Sequence, residues 1–177
     1  MNDTASAQTG WTARRAGVAD APAIRALFCR SFTATFGLLY PAQTLADFLE
    51  GCSTQRFAAD LALPDTACLL AERDGRLIGY CMLGDYDLQP VGDESWWVLR
   101  MLYLDEEAKG TGIAQALMDW AIGEARERRY GALYLTVYID NHRARRFYDR
   151  NGWVEVGRYA FAVGDQVDDD RIMKYIL

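Results

Sequence analysis

The chain has 177 residues, 51% of them hydrophobic, enough for one packed core and too many for general disorder. Its 25 acidic and 19 basic side chains give a formal charge of −6. Proteins that grip nucleic acids by their phosphates carry a basic surplus, so no nucleic-acid partner is expected. The acids are unevenly spread: between Asp85 and Glu107 seven of them (Asp85, Asp87, Asp93, Glu94, Asp105, Glu106, Glu107) face one base, Arg100.

In chain order, residues 1–10 are small and polar and read as a flexible tail, without the basic start and apolar stretch of a secretory signal. Residues 11–177 read as a single domain. Trp11–Ala16 is a first strand. Asp20 reads as an N-cap with Pro22 in the first turn, and Ile24, Leu27, Phe28 and Phe32 follow at helical spacing. Pro41 opens a second helix carrying Leu45, Phe48 and Leu49. A short third holds Phe57 and Leu61 and ends at Pro64. The period then changes to two over Ala67–Arg73 and Arg76–Leu83, around the hairpin signal Asp74-Gly75. Asp85–Glu94, with Pro90 and Gly92, is an acidic loop.

Ser95–Leu104 reads as a buried strand, and a helix follows from about Gly112 to Arg129. Ala132–Ile139 is a further strand and Asn141–Asn151 a further helix, stopped by Gly152. Trp153–Val163 and Arg171–Leu177 form a closing antiparallel pair joined by an acidic loop. The fold class is α+β, with two β-to-α crossovers in the second half. No apolar run approaches the roughly 18 residues of a membrane span. Cys29, Cys52, Cys68 and Cys81 form no close pair and His142 is the only histidine, so no metal site is expected. The thiols read as buried and free, in a reducing cytoplasm.

The most informative segment is Lys109-Gly110-Thr111-Gly112-Ile113-Ala114, which leads from a strand into a helix. Glycines let the backbone approach a ligand, and free amides at a helix start favour an anion such as a pyrophosphate. A plain tight turn is the competing reading. The P-loop pattern is absent, and Gln115 stands where a dinucleotide fingerprint needs a small residue. A second segment, Asn141-His142-Arg143-Ala144-Arg145-Arg146-Phe147-Tyr148, also follows a strand and opens a helix. Alone, its Asn141 could be a cap and its aromatics core.

Together, Lys-Gly-x-Gly-Ile-Ala followed by Asn-x-x-Ala-x-x-Phe-Tyr-x-x-x-Gly-Trp resembles the GNAT superfamily of acyl-CoA-dependent N-acetyltransferases. The resemblance covers residues 11–177, with its core at 98–153. Phe36-Gly-Leu-Leu-Tyr40, Gly75-Arg-Leu-Ile-Gly-Tyr80 and Asp170-Arg-Ile-Met-Lys174 are similar to a bacterial branch typified by PaiA-type polyamine N-acetyltransferases. The resemblance implies a mixed α/β fold: a mostly antiparallel twisted sheet with one splayed parallel pair, flanked by helices. It implies acetyl-CoA as co-substrate, without a metal. The backbone of Leu102, Tyr103 and Leu104 would bond the pantetheine arm. The amides of Lys109, Gly110, Thr111, Gly112, Ile113 and Ala114 would hold the pyrophosphate. Asn141 would bond the pantetheine and Arg150 the nucleotide end. Lys109 stands where the family usually has Gln or Arg. Asn141–Asn151 carries four arginines and one acid, a local surplus of +3.

The resemblance also implies that Tyr148 is the general acid for the departing thiolate, with a strand amide near Leu104 stabilising the oxyanion. Many relatives carry a glutamate where this chain has Val98. Glu94, acting through water, is then the candidate base, beside selection of the neutral amine from solution. The expected acceptor is a small-molecule amine, a polyamine or similar cation drawn by the acids of Asp85–Glu107. A protein or peptide amine is the alternative acceptor. A non-catalytic acyl-CoA-binding module is the alternative class. Trp96, Trp97 and the C-terminal strands are compatible with a homodimer or with the core.

Overall fold

Asp74 and Gly75 both have positive φ, 51° and 73°, the pairing that a two-residue hairpin turn requires. They join the strands that organise the first half of the sheet. In the computed structural model, which describes residues 10–88 and 92–177, the order is β1 (Thr12–Arg15), α1 (Ala21–Phe36), α2 (Ala42–Gly51), α3 (Thr54–Ala62), β2 (Ala67–Arg73), β3 (Arg76–Gly84) and β4 (Trp96–Leu104). Then come α4 (Ile113–Glu127), β5 (Ala132–Tyr138), α5 (His142–Arg150), β6 (Val154–Val163) and β7 (Gln166–Ile176). Short 3-10 turns occupy Val18–Asp20 and Glu106–Ala108. The tail expected over residues 1–9, and Pro90 of the acidic loop, lie outside the described residues.

The seven strands form one sheet in the order β1-β2-β3-β4-β5-β7-β6. Every pairing is antiparallel except that of β4 with β5. Side chains alternate across a strand, so Leu69 and Ala71 of β2 pack with α4 while Cys68 and Leu70 pack with α1 and α3. Both faces are covered, which explains the near-continuous apolar runs in β2, β3 and β4. The α4 face is built on Ile113, Leu117, Met118 and Ala121, all fully buried.

One cap and two boundaries differ from the sequence expectation. Asp20 is the N-cap residue of α1, with Pro22 in the first turn, but its carboxylate makes no capping bond there. It accepts the Gly17 backbone N–H (2.8 Å) and a fork from Arg14 (2.9 and 2.7 Å), closing the preceding turn instead. α4 ends at Glu127, with Arg128 as its C-cap and Arg129 at a positive φ of 64°. The expected acidic loop before Arg171 is mostly strand: only Gly164-Asp165 turns, and Asp168, Asp169 and Asp170 are in β7. Alternation then sends Asp169 to one face, where Arg158 (2.6 Å) and Arg171 (3.1 Å) pair with it. Asp168 and Asp170 are buried on the other.

Leu117→Ala should lower unfolding free energy by about 2–5 kcal/mol, the usual cost of a cavity in a closed core. A loss below about 1 kcal/mol in urea unfolding would contradict the packing of α4 on the sheet.

Candidate active site

β4 and β5 are paired only over Trp96–Val98 and Ala132–Tyr134. Beyond those pairs both strands line a cleft of about 520 Å³, with Leu99–Leu104 on one wall and Thr136–Tyr138 on the other. Asp105 donates its backbone N–H to Ile78 of β3 (2.8 Å). Strand alternation therefore turns the peptide groups of Leu104 and Leu102 away from β3, into the cleft. Ser31 of α1 donates its hydroxyl to the Leu104 carbonyl (3.1 Å), leaving the Leu104 N–H as a donor toward the cleft. The same alternation turns the Tyr103 backbone toward β3. Its ring packs edge-on against Phe28 and stacks on Tyr80.

The anion end is the start of α4. Gly110 and Gly112 have φ of 81° and 88°, and a Cβ at either would meet no heavy atom within 4 Å. Gly112 is the N-cap and supplies no capping side chain. The helix's first backbone bond runs from Ala116 to Gly112 (3.1 Å), so the amides of Ile113, Ala114 and Gln115 lack partners within the helix. Lys109, Gly110, Gly112 and Ala114 line the cleft. Thr111 turns its hydroxyl back to the Ala108 carbonyl (2.7 Å), and the Ile113 side chain is buried in the core.

α5 completes this end. Asn141 caps it by accepting the Ala144 N–H (3.2 Å), so its Nδ2 is the group left for a ligand. Both readings of that residue are thus compatible. Arg143 and Arg150 line the cleft, whereas Arg145 is held by the Ile139 carbonyl (3.1 Å) and Glu155 (3.0 Å). Lys109 lies 2.6 Å from Glu106, an exposed carboxylate that the ion pair holds below its ordinary range.

Tyr148 is buried against Phe147 and Trp153 and faces the cleft. Burial raises its hydroxyl above the usual phenol range, keeping the proton on it near neutrality. Glu94 is elsewhere. It sits before β4, forms a two-oxygen ion pair with Lys174 (3.0 Å to each) and is not among the residues lining the cleft.

Most acids expected to make a negative rim are also paired outward. Asp105 meets Arg30 (3.1 Å) and Arg76 (3.4 Å), and Glu107 meets Arg76. Asp85 and Asp87 are exposed on either side of Tyr86, which does line the cleft. The carboxylates inside are Asp168 and Asp170, with Tyr40, Tyr86, Tyr138 and Phe161 around them. Sequence reasoning missed both acids because a run of three aspartates looks like a loop. The available signal was Gly164-Asp165, a two-residue turn that puts the aspartates in a strand.

The Acetyltransferase (GNAT) family profile matches residues 22–153. The chain belongs to that family. An uncharacterized N-acetyltransferase of Mycobacterium tuberculosis is 34% identical over 157 residues, covering 87% of this chain and 96% of the relative. The PaiA N-acetyltransferase of Thermoplasma acidophilum, solved in complex with coenzyme A, superposes with a TM-score of 0.75 at 19% identity, over 94% of this chain and 99% of that one. The ribosomal-protein-alanine N-acetyltransferase of Brucella melitensis superposes with a TM-score of 0.66 at 26% identity, over 93% and 99%.

The acetyltransferase cleft fits coenzyme A on its own residues. A strand edge with an inward N–H suits an amide-bearing arm, and a glycine helix start with Lys109, Arg143 and Arg150 suits a pyrophosphate and nucleotide. Among the described residues no group of His, Cys, Asp and Glu is placed to hold a metal. Among the described residues no helix is long and apolar enough to cross a membrane.

Gly112→Ala adds a methyl at a positive φ on the ligand side of this turn. It should cost about 1 kcal/mol of stability and weaken coenzyme A binding about tenfold in calorimetry. Unchanged affinity would remove this turn from the cofactor site.

Proposed function

We propose that this acetyltransferase moves the acetyl group of acetyl-CoA directly to a small cationic primary amine, in the manner of the PaiA-type polyamine branch, as a cytoplasmic enzyme. The observation that carries the acceptor reading is the opposite character of the two ends of one cleft. Helix amides with Lys109, Arg143 and Arg150 stand at one end, and two buried aspartates among tyrosines at the other, with the cleft-lining Arg100 held by Asp60 (3.0 Å). A polyanionic co-substrate and a cationic acceptor are thereby drawn to different ends. Phe36 and Tyr40, from the segment similar to the PaiA branch, line the acceptor end. The four cysteines are free, in keeping with a reducing compartment.

Acetyl-CoA supplies the activated acetyl group as a thioester. The backbone of Leu102 and Leu104 orients its arm, and the Leu104 N–H faces the place where negative charge grows on the reacting oxygen. The amides of Gly110 to Ala114, with the side chains of Lys109, Arg143 and Arg150, hold the phosphates; the Lys109 amide, expected to join them, is donated to the Glu106 carbonyl (3.2 Å). Asn141 bonds the arm through Nδ2. Tyr148 holds a proton at Oη for the sulfur as the carbon–sulfur bond breaks, and its burial favours that protonated form.

Three measurements test this reading. Acetyl-CoA at about 100 times its Kd should stabilise the fold by about 2.7 kcal/mol. No thermal shift at millimolar ligand would contradict cofactor binding. Tyr148→Phe should lower kcat by about 10²-fold or more while leaving the coenzyme A Kd within a factor of about three. An unchanged rate across pH removes Tyr148 from the chemistry. In a CoA-release panel, spermidine and spermine should exceed neutral amino acids and short peptides in kcat/KM by at least about tenfold. Preference for peptides would transfer the reading to a protein amine, and binding without release from any amine would favour a regulatory module.

A further inference from the structure

We infer that Asp170 accepts the proton of the acceptor amine, with Asp168 and Tyr40 as the residues that position it. The inference rests on the proposed amine acetylation and names the base that the resemblance left open at Val98.

Two of the other buried acids, Glu124 and Asp105, are paired with cations. Glu124 is 6% exposed and bonded by Arg15 and Arg128, and Asp105 is 9% exposed and bonded by Arg30. Asp170 is 7% exposed, yet among the described residues no cation is seen bonded to it; the cleft-lining Arg100 is held by Asp60 instead (3.0 Å). The groups around it are Asp168 and Asp169 on β7, Thr136 and Tyr138 on β5, Tyr159 on β6, Tyr103 on β4 and Tyr86 from the loop after β3. Its neighbour Arg171 turns to the opposite face, to Asp169 and Glu155. A carboxyl buried without a cation is costly unless it keeps its proton or meets a cationic ligand. Asp170 lies in the wall of the cleft, where an ammonium is that ligand.

The two aspartates differ in their partners. Asp168 accepts hydrogen bonds on both oxygens, from the Tyr40 hydroxyl and from Gln166 Nε2 (2.8 Å). Asp170 faces the Thr136 hydroxyl, and burial with the adjacent Asp168 charge pushes it up to about 7. Two neighbouring acids held in different environments divide their work, and a base titrating near neutrality is matched to proton transfer there.

The protons balance. The ammonium gives one proton to the Asp170 carboxylate, and the free amine forms the new carbon–nitrogen bond. As the carbon–sulfur bond breaks, Tyr148 gives its proton to sulfur, and the second amine proton restores Tyr148. Asp170 returns its proton to solvent, so one proton is released per acetylation.

The test is the pH profile of kcat/KM for CoA release with spermidine, for the wild type, Asp170→Asn and Asp170→Glu. The wild type should fall about tenfold per pH unit below an inflection near 7 and level above it. Asp170→Asn should lose about 10²-fold at pH 8 and rise log-linearly toward the amine's own pKa near 10, the signature of free amine taken from solution. Its coenzyme A Kd should stay within about threefold. Asp170→Glu should keep an inflection, displaced from the wild-type position. A wild-type profile that rises log-linearly without inflection, or an Asp170→Asn profile that keeps the wild-type inflection and rate, overturns the inference and leaves the acetylation reading intact. If Asp170→Asn fails to fold, an unmoved inflection in Asp170→Glu overturns it. A wild type that binds coenzyme A but releases none with any amine overturns the acetylation reading, and this inference with it.

A second readout needs no activity. The folded state binds more protons than the unfolded one between the ordinary aspartate range and about pH 7. This contribution to stability is full below that range and is lost as pH rises through the window. Asp170→Asn should flatten that decline, and an unchanged slope counts against the inference.

Discussion

The site depends on one incomplete pairing. Parallel β4 and β5 share three residue pairs and then part, while β3 holds one strand and β7 the other. A strand edge left without a partner exposes peptide groups that need hydrogen bonds. In most folds that is a liability. Here the Ser31 hydroxyl takes the Leu104 carbonyl, and the inward Leu104 N–H is kept for a ligand. The two helices that follow the parting strands, α4 and α5, bring their N-termini to the same opening. The anion-binding end is thus a consequence of topology: each strand of the split pair feeds a helix whose dipole begins at the cleft.

The charge distribution follows from the same frame. The net −6 is not spread as a negative field around the site. Asp105, Glu106, Glu107 and Glu94 are each held by a basic partner. The exposed pairs among them add little stability, but all remove charge that would repel a polyanion from the glycine turn. The acids that face the acceptor end come from β7, and their location is decided by strand alternation. One aspartate in the run of three turns outward to arginines and two turn inward.

Much of the fold was legible because its elements are locally consistent. Asp74-Gly75 requires a hairpin, Pro41 and Pro64 bracket the short helices, and Gly152 at φ 83° ends α5. The cofactor end was legible for a related reason. Lys109–Ala114 and Asn141–Tyr148 are contiguous motifs, so sequence spacing carries their geometry. The acceptor end was not, because it is assembled from α1, the loop after β3, and β5 to β7. Its decisive residues are Asp168 and Asp170, whose neighbours Tyr40 and Tyr86 lie far away in sequence. Glu94 is next to β4 in sequence, but its carboxylate pairs with Lys174 on β7 and does not line the cleft.

The central claim is that one cleft binds a polyanion and a polycation at opposite ends. It is tested most directly with a conjugate of coenzyme A joined through an acetyl spacer to spermidine, titrated against a conjugate bearing a neutral chain of the same length. The account predicts that the spermidine conjugate binds at least about tenfold tighter than both the neutral conjugate and coenzyme A, with the advantage lost in Asp170→Asn. Equal affinity for the two conjugates would contradict it.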